Sequence, residues 1–246
     1  MIALRSPPPK KSGPQVPEGV RVYAVGDIHG RVDLLDKVLE RIDADLKRNS
    51  VPHCLEVFLG DYVDRGPASR QVIDRLVERG RTHRTVFLKG NHESYLASFV
   101  GNPHILEDWK RLGGLETLMS YGLTPSINAD ASAQAQLASG FDQALPVSHR
   151  QFIRDLRSSF TCGDFFFVHA GIRPGVPLEK QNEEDLLWIR REFLLCEEHF
   201  SKYIVHGHTP VAQPDIRSNR MNIDTGAYAT GRLTCLRLEG SDISFI

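Results

Sequence analysis

Five short segments concentrate the residue types that can do chemistry: Gly26-Asp27-Ile28-His29-Gly30; Gly60-Asp61-Tyr62-Val63-Asp64-Arg65-Gly66; Gly90-Asn91-His92-Glu93; His169-Ala170-Gly171; and His206-Gly207-His208-Thr209. Each sets an oxygen or imidazole donor beside a glycine. Glycine lets the chain turn sharply and lets backbone approach closely. Mixed carboxylate, amide and imidazole donors suit Mn, Fe or Zn better than Ca or Mg, which prefer shells of oxygen alone. Singly, each segment is weak. A D-x-H triplet arises by chance, G-D-x-x-D-R also describes a turn with a surface ion pair, and a lone buried histidine is usually a core residue. In series they are specific: five of the ten histidines fall inside them, which scattered surface histidines would not do.

Each segment follows a predicted strand. Val20 to Val25 is a β-prone run that stops at Gly26, Cys54 to Leu59 stops at Gly60, and Thr85 to Leu88 ends before Gly90. Between them, Leu34, Leu35, Val38, Leu39, Ile42 and Leu46 recur at helical spacing to about Lys47, and Val72, Ile73, Leu76 and Val77 mark a second helix. Such alternation argues for an α/β fold built from βαβ units around a largely parallel sheet, with ligands bound at the carboxyl ends of its strands. Residues 93–158 read as helical, with pieces at Trp109 to Leu112 and Leu115 to Met119 and an exposed Ala/Gln-rich helix over Ala131 to Ala144. Strands return at Phe165 to Val168, Tyr203 to Val205, Met221 to Ile223 and Leu233 to Leu238.

Composition bounds the rest. The chain of 246 residues fits one catalytic domain over 20–246, long enough to bury a core without disulfides. Residues 1–19 carry five prolines with Lys10 and Lys11 among them, and predict a disordered tail; a proline-rich docking segment is the alternative. That tail lacks the apolar stretch of a secretory signal. Lys plus Arg number 30 against Asp plus Glu 31, a net charge of −1 that gives no support to nucleic-acid or membrane-surface partners. No apolar run nears the roughly 20 residues of a membrane span. Cys54, Cys162, Cys196 and Cys235 form no C-x-x-C pair and read as reduced, mostly buried small hydrophobes. The expectation is a cytoplasmic monomer.

The ordered series of segments resembles the phosphoprotein phosphatase family within the calcineurin-like metallophosphoesterases, and above all its compact bacterial and bacteriophage branch, typified by the lambda phage protein phosphatase. The likeness runs from Gly26 to Thr209 and extends to Leu187-Trp188-Ile189-Arg190 and to Asn222-Ile223-Asp224-Thr225-Gly226-Ala227. It implies a four-layer α/β/β/α sandwich with two mixed sheets; the strand pattern alone supports only α/β. It also implies two divalent metal ions, Mn foremost with Fe or Zn as alternatives. Asp27 and His29 would bind the first, Asp61 would bridge both, and Asn91, His169 and His208 would complete the second. His206 is then a supporting or core residue. Pro210 stands where other metallophosphoesterases carry a further histidine ligand, which itself points to the phosphoprotein phosphatase branch.

Physical chemistry makes a paired site sensible. A phosphate monoester resists hydrolysis because its charge repels hydroxide, and two cations about 3.5–4 Å apart lower the pKa of a shared water and neutralise the phosphoryl oxygens together. The leaving oxygen needs a proton. His92 matches no ligand position in the resemblance and titrates in the range of a general acid, with Asp64 as its orienting partner. Arg65 looks like a bidentate phosphate clamp, Arg190 matches a second one with Arg191 the adjacent alternative, and Asn91 would also touch phosphate. The expected activity is metal-dependent phosphoesterase action on a phosphoprotein or small phosphoester, chiefly as a serine/threonine protein phosphatase. A symmetrical dinucleoside tetraphosphate hydrolase is the runner-up. A non-catalytic metal-binding module would predict a missing ligand, and none is missing. Residues 93–158 and 172–187, where substrate-selecting loops are expected, show no pair of aromatics suited to an adenine.

Overall fold

The computed structural model describes residues 13–246. Its strands, among the described residues, are β1 (Val20–Val25), β2 (His53–Phe58), β3 (Thr85–Phe87), β4 (Ser159–Cys162), β5 (Phe165–Val168), β6 (Tyr203–His206), β7 (Asp215–Ile216), β8 (Arg220–Asn222), β9 (Cys235–Glu239) and β10 (Asp242–Phe245). They form two five-stranded sheets, ordered β10-β9-β1-β2-β3 and β4-β5-β6-β8-β7. The pairs β1–β2, β2–β3, β5–β6 and β6–β8 are parallel, and β1–β9, β9–β10, β4–β5 and β7–β8 antiparallel, so both sheets are mixed.

Alternation along β1 shows why two sheets stack. Val22 and Ala24 pack in one layer with Leu55, Val57, Phe165, Phe167, Val205 and Met221, the seam between the sheets. Tyr23 and Val25 face the other way, into a layer with Leu35, Val38 and Ile42 of α1 (Val32–Arg48) and Val72, Ile73 and Leu76 of α2 (Ser69–Thr82). A strand covered on both faces has no polar side to show, which is how β1 and β2 read in sequence. The outer face of the second sheet, Phe166, Val168 and Ile204, is covered by Leu186 and Phe193 from the short helices Glu183–Trp188 and Arg191–Leu194 and by Ile189 between them. Helix, sheet, sheet, helix: the four-layer sandwich is present.

Several boundaries move. Leu88 leaves β3 and makes an isolated bridge to Arg157 instead. β4, β7 and β10 were not legible in the sequence. Residues 93–158 are helical as expected, starting with α3 (Asn91–Phe99), but Ala131–Ala144 is not simply exposed: Gln134, Ala138 and Phe141 are buried, with Phe141 against Phe99, Trp109 and Tyr121. Of the cysteines only Cys235 is buried; the other three are half-buried, and all four are free. The chain packs earlier than Val20. Val16 is 3% exposed and donates its N–H to the Gly240 carbonyl, and Asp164 donates its N–H to the Gln15 carbonyl. Residues 13–19 therefore lie across the β4–β5 and β9–β10 turns rather than trailing away, because Val16 has an apolar seat there. Residues 1–12 of the expected tail lie outside the described residues. Among the described residues no helix is long and apolar enough to cross a membrane.

Candidate active site

The five segments follow β1, β2, β3, β5 and β6, whose carboxyl ends meet at one rim. Hydrogen bonds stitch the rim across both sheets. Ile28 and His29 donate their N–H groups to the Asp61 carbonyl, Gly207 donates to the His169 carbonyl, and the His208 N–H donates to Asp27 Oδ2 at 3.0 Å. All five non-glycine residues with left-handed backbone among the described residues sit here: His29, Asp61, Asp64, Arg65 and His208, with φ of 48, 51, 71, 68 and 67°. Such conformations cost roughly 1–3 kcal/mol each and persist only where surrounding contacts force them.

For the Asp61 turn the forcing contact is Glu93. Its Oε2 accepts the N–H groups of Asp61 and Gly90, both at 2.9 Å, and its Oε1 accepts those of Tyr62 at 2.8 Å and Val63 at 3.3 Å. One fully buried carboxyl thus terminates four backbone donors from two loops. Burial first, then the Asp61 charge, pushes it up to about 7. Close approach is enforced by glycine at the opposite wall, where a Cβ on Gly207 would stand 2.1 Å from Asp27 Oδ1.

Side-chain donors converge in two buried groups, His29 with Asp61 and His92, and Asp61 with His169 and His208, the donor atoms of each lying within 4.8 Å of one another. Asp61 is common to both: Oδ2 is 3.4 Å from His29 Nε2 and Oδ1 is 3.3 Å from His169 Nε2. Asn91 Oδ1 lies 3.0 Å from His169 Nε2 and 2.9 Å from His208 Nδ1. Asp27 belongs to neither group by that distance, yet its Oδ1 is buried without a hydrogen-bond partner, as is His208 Nε2. The tautomers follow from simple accounting. His29 Nδ1 is 2.9 Å from the Val63 carbonyl and His169 Nδ1 is 2.9 Å from the Leu59 carbonyl. A carbonyl only accepts, so both Nδ1 atoms carry the proton and both Nε2 lone pairs point at the Asp61 carboxylate. Burial keeps these rings neutral, holding His29 down to about 3 and His208 to about 2. Burial, then Asp224 and Asp61, pushes the Asp27 carboxyl up, and burial with Asp61 raises Asp224 to about 6. Lone pairs facing lone pairs among crowded buried carboxyls are unfavourable alone and are what divalent cations relieve. The donor set fits such ions.

His92 stands at the edge of the first group. Its Nδ1 is 2.7 Å from Asp64 Oδ2, and its Nε2 is 3.7 Å from Asp61 Oδ2 and 3.4 Å from Arg65 Nη2. Asp64 is itself fixed, Oδ2 accepting from Trp109 Nε1 at 2.8 Å and Oδ1 from Thr117 Oγ1 at 2.6 Å. Burial works against the charged ring, but Asp61 and the Asp64 hydrogen bond outweigh it and raise the His92 pKa. Arg65 lies with its guanidinium carbon 4.7 Å from the centre of the Tyr228 ring. Arg190 reaches Thr209 Oγ1, next to His208, at 3.4 Å, whereas Arg191 opens the following helix. His206 is kept from the donor groups: its ring lies against Phe193 at 4.9 Å, and burial holds it down to about 3.

Three residues at the rim had no role in the sequence reading. Glu93 and Asp224 lie within the motifs without a role read from sequence, and Tyr228 lies one residue past the Asn222 to Ala227 landmark. An acidic residue inside a glycine-rich segment is the available signal for the first two; the sequence carries none for Tyr228.

Two mixed sheets with helices outside, and a rim of imidazole, amide and carboxylate donors at their strand ends, define a metallophosphoesterase, a hydrolase of phosphoester bonds. The sequence profile of the calcineurin-like phosphoesterases matches residues 20–239, and the chain belongs to that family. Among relatives, the asymmetrical bis(5'-nucleosyl)-tetraphosphatase PrpE of Halalkalibacterium halodurans is 29% identical over 240 residues, covering 90% of this chain and 91% of the relative. The protein of the same name from Anoxybacillus flavithermus is 30% identical over 234 residues, with 87% and 88% covered. A crystal structure of a candidate diadenosine tetraphosphatase superposes with a TM-score of 0.63 at 21% identity, covering 92% of each chain.

Proposed function

We propose that this chain hydrolyses dinucleoside tetraphosphates asymmetrically, releasing a nucleoside monophosphate and a nucleoside triphosphate. What supports the chemistry is one observation: Asp61 is shared by two buried donor groups whose lone pairs face each other. What supports the substrate is the naming of relatives aligned over about nine-tenths of the chain. The runner-up expectation is a symmetrical division, into two diphosphates; the relatives' names support the unequal one.

Asp27, His29 and Asp61 would hold one divalent ion, and Asp61, Asn91, His169 and His208 the other, with Mn well suited to these mixed donors. When bound, such a pair acidifies a water and neutralises phosphoryl oxygens. The chain's own residues then divide the remaining work. Arg65 and Arg190 grip non-bridging oxygens, bidentately where the fork allows. Asp64, held by Trp109 and Thr117, fixes the His92 ring by its Nδ1–H, so that Nε2 faces the site and gives its proton to the departing oxygen. Water adds to the α-phosphorus, the bond to the α–β bridging oxygen breaks, and the triphosphate leaves.

Product analysis of diadenosine tetraphosphate with Mn-loaded protein tests this. AMP and ATP in equal amounts are expected. ADP as sole product would restore the symmetrical reading. Turnover of phosphoserine peptides more than a hundredfold better than the dinucleotide, by kcat/KM, would restore the protein phosphatase reading.

A further inference from the structure

We propose that the Tyr228 ring is the platform on which a nucleobase of the substrate stacks. The inference rests on a nucleotide substrate, as proposed above, and adds the residue that recognises it. Tyr228 is 41% exposed, unusual for a large ring beside a buried catalytic cluster. It stands perpendicular to the His29 ring, centres 5.6 Å apart and planes at 84°, and the Arg65 guanidinium lies over its ring at 4.7 Å. The ring therefore touches both a donor of the first group and the phosphate clamp, while much of its surface stays open to solvent.

Its mounting is rigid. Tyr228 sits on the one-turn helix Ala227–Thr230, entered through Gly226 at φ 64°. The Gly226 N–H donates to Asp224 Oδ1 at 2.8 Å, Thr230 Oγ1 donates to the Thr225 carbonyl at 2.8 Å, and Arg31 Nη1 donates to the Ala227 carbonyl at 3.0 Å. A tyrosine so held loses little freedom when a planar group settles on it, and stacking on a fixed aromatic tolerates any base because every base has a π-face. The cation over the ring joins the two recognitions, since a phosphate on Arg65 and a base on Tyr228 belong to one nucleotide unit. The opposite wall offers a different surface: Trp188 is half-buried and edge-on to both His208 and Tyr95.

The test compares AMP with ribose 5-phosphate, which lacks only the adenine and strips metal no more strongly. Dissociation constants are measured by calorimetry on metal-loaded wild type, Tyr228→Phe and Tyr228→Ala. Wild type should bind AMP about ten- to hundredfold tighter than ribose 5-phosphate. Tyr228→Phe should keep that ratio and Tyr228→Ala should bring it near one. A wild-type ratio near one, an unchanged ratio in Tyr228→Ala, or a loss in Tyr228→Phe equal to that in Tyr228→Ala would each overturn the platform; the last would assign the effect to the hydroxyl. None of these readouts needs turnover of a dinucleotide, so failure of the proposed activity shows separately, as absence of AMP and ATP from diadenosine tetraphosphate.

Discussion

Two buried charged clusters sit at opposite ends of β1 and β2. At the start of the strands, Arg21 pairs with Asp45 at 3.3 Å and Glu239 at 2.7 Å, the Tyr23 hydroxyl donates to Asp45 at 2.6 Å, and Arg79 pairs with fully buried Glu56 at 2.6 Å. Each of these carboxylates has a cationic partner, and the backbone is ordinary. At the far end lie the five strained residues, the orphaned Asp27 Oδ1 and His208 Nε2, and facing lone pairs around Asp61. The first cluster is complete within the chain. The second is complete only with something bound. Strain and unmet polar groups gathered at one end of a strand whose other end is fully paired locate the functional site without reference to any relative.

The contrast can be broken deliberately. Asp61→Asn removes the charge shared by both donor groups and should abolish bound metal and activity together, read by elemental analysis beside an aryl phosphate assay. Retention of two ions per chain would refute the shared role. Gly207→Ala replaces no donor, yet its methyl would collide with Asp27 Oδ1, so metal content should drop nearly as far. His92→Asn should keep metal while lowering kcat by about 10²–10⁴-fold on an alkyl phosphate, the usual range for a general acid. The loss should be smaller on a tetraphosphate, whose leaving group needs less help from a proton; a metal-free variant would make His92 a ligand. At the other end, Arg79→Ala strands Glu56 in the core and should cost about 3–5 kcal/mol in urea unfolding. Its metal content at low temperature should match wild type, and a metal deficit there would show that the two ends are not separable.

Much of this was legible in the residues. Glycines stopping Val20 to Val25, Cys54 to Leu59 and Thr85 to Leu88 placed the donors at strand ends, and period-3.6 apolar positions gave α1 and α2. Which strand joins which sheet was not legible, because alternation reports buried faces and not neighbours. β7 is two residues long and β4 and β10 are only partly buried, so pairing rather than pattern makes them strands. Glu93 escaped assignment for a similar reason: its four N–H partners come together only when the loops after β2 and β3 close on each other. Residues 93–158 and 172–187 show no aromatic pair suited to a base, whereas the exposed ring at the rim, Tyr228, arrives through the turn after β8.

Residues 13–19 change the mechanics of the sandwich. Asp27 and Asp61 hang from the first sheet, and His169 and His208 from the second. The His208 N–H to Asp27 and His169 Nδ1 to the Leu59 carbonyl rivet the sheets at the rim; the N–H of Val16 to Gly240 and of Asp164 to Gln15 rivet them at the opposite end. Between the rivets lies the apolar seam that includes Val22, Val57, Phe167 and Val205. Any slip of one sheet over the other is therefore transmitted directly to the spacing of the donors, and the seam acts as a gauge block. Its side-chain volumes set the separation of catalytic groups contributed by two different sheets, so trimming Phe167 should detune the rim as well as soften the fold.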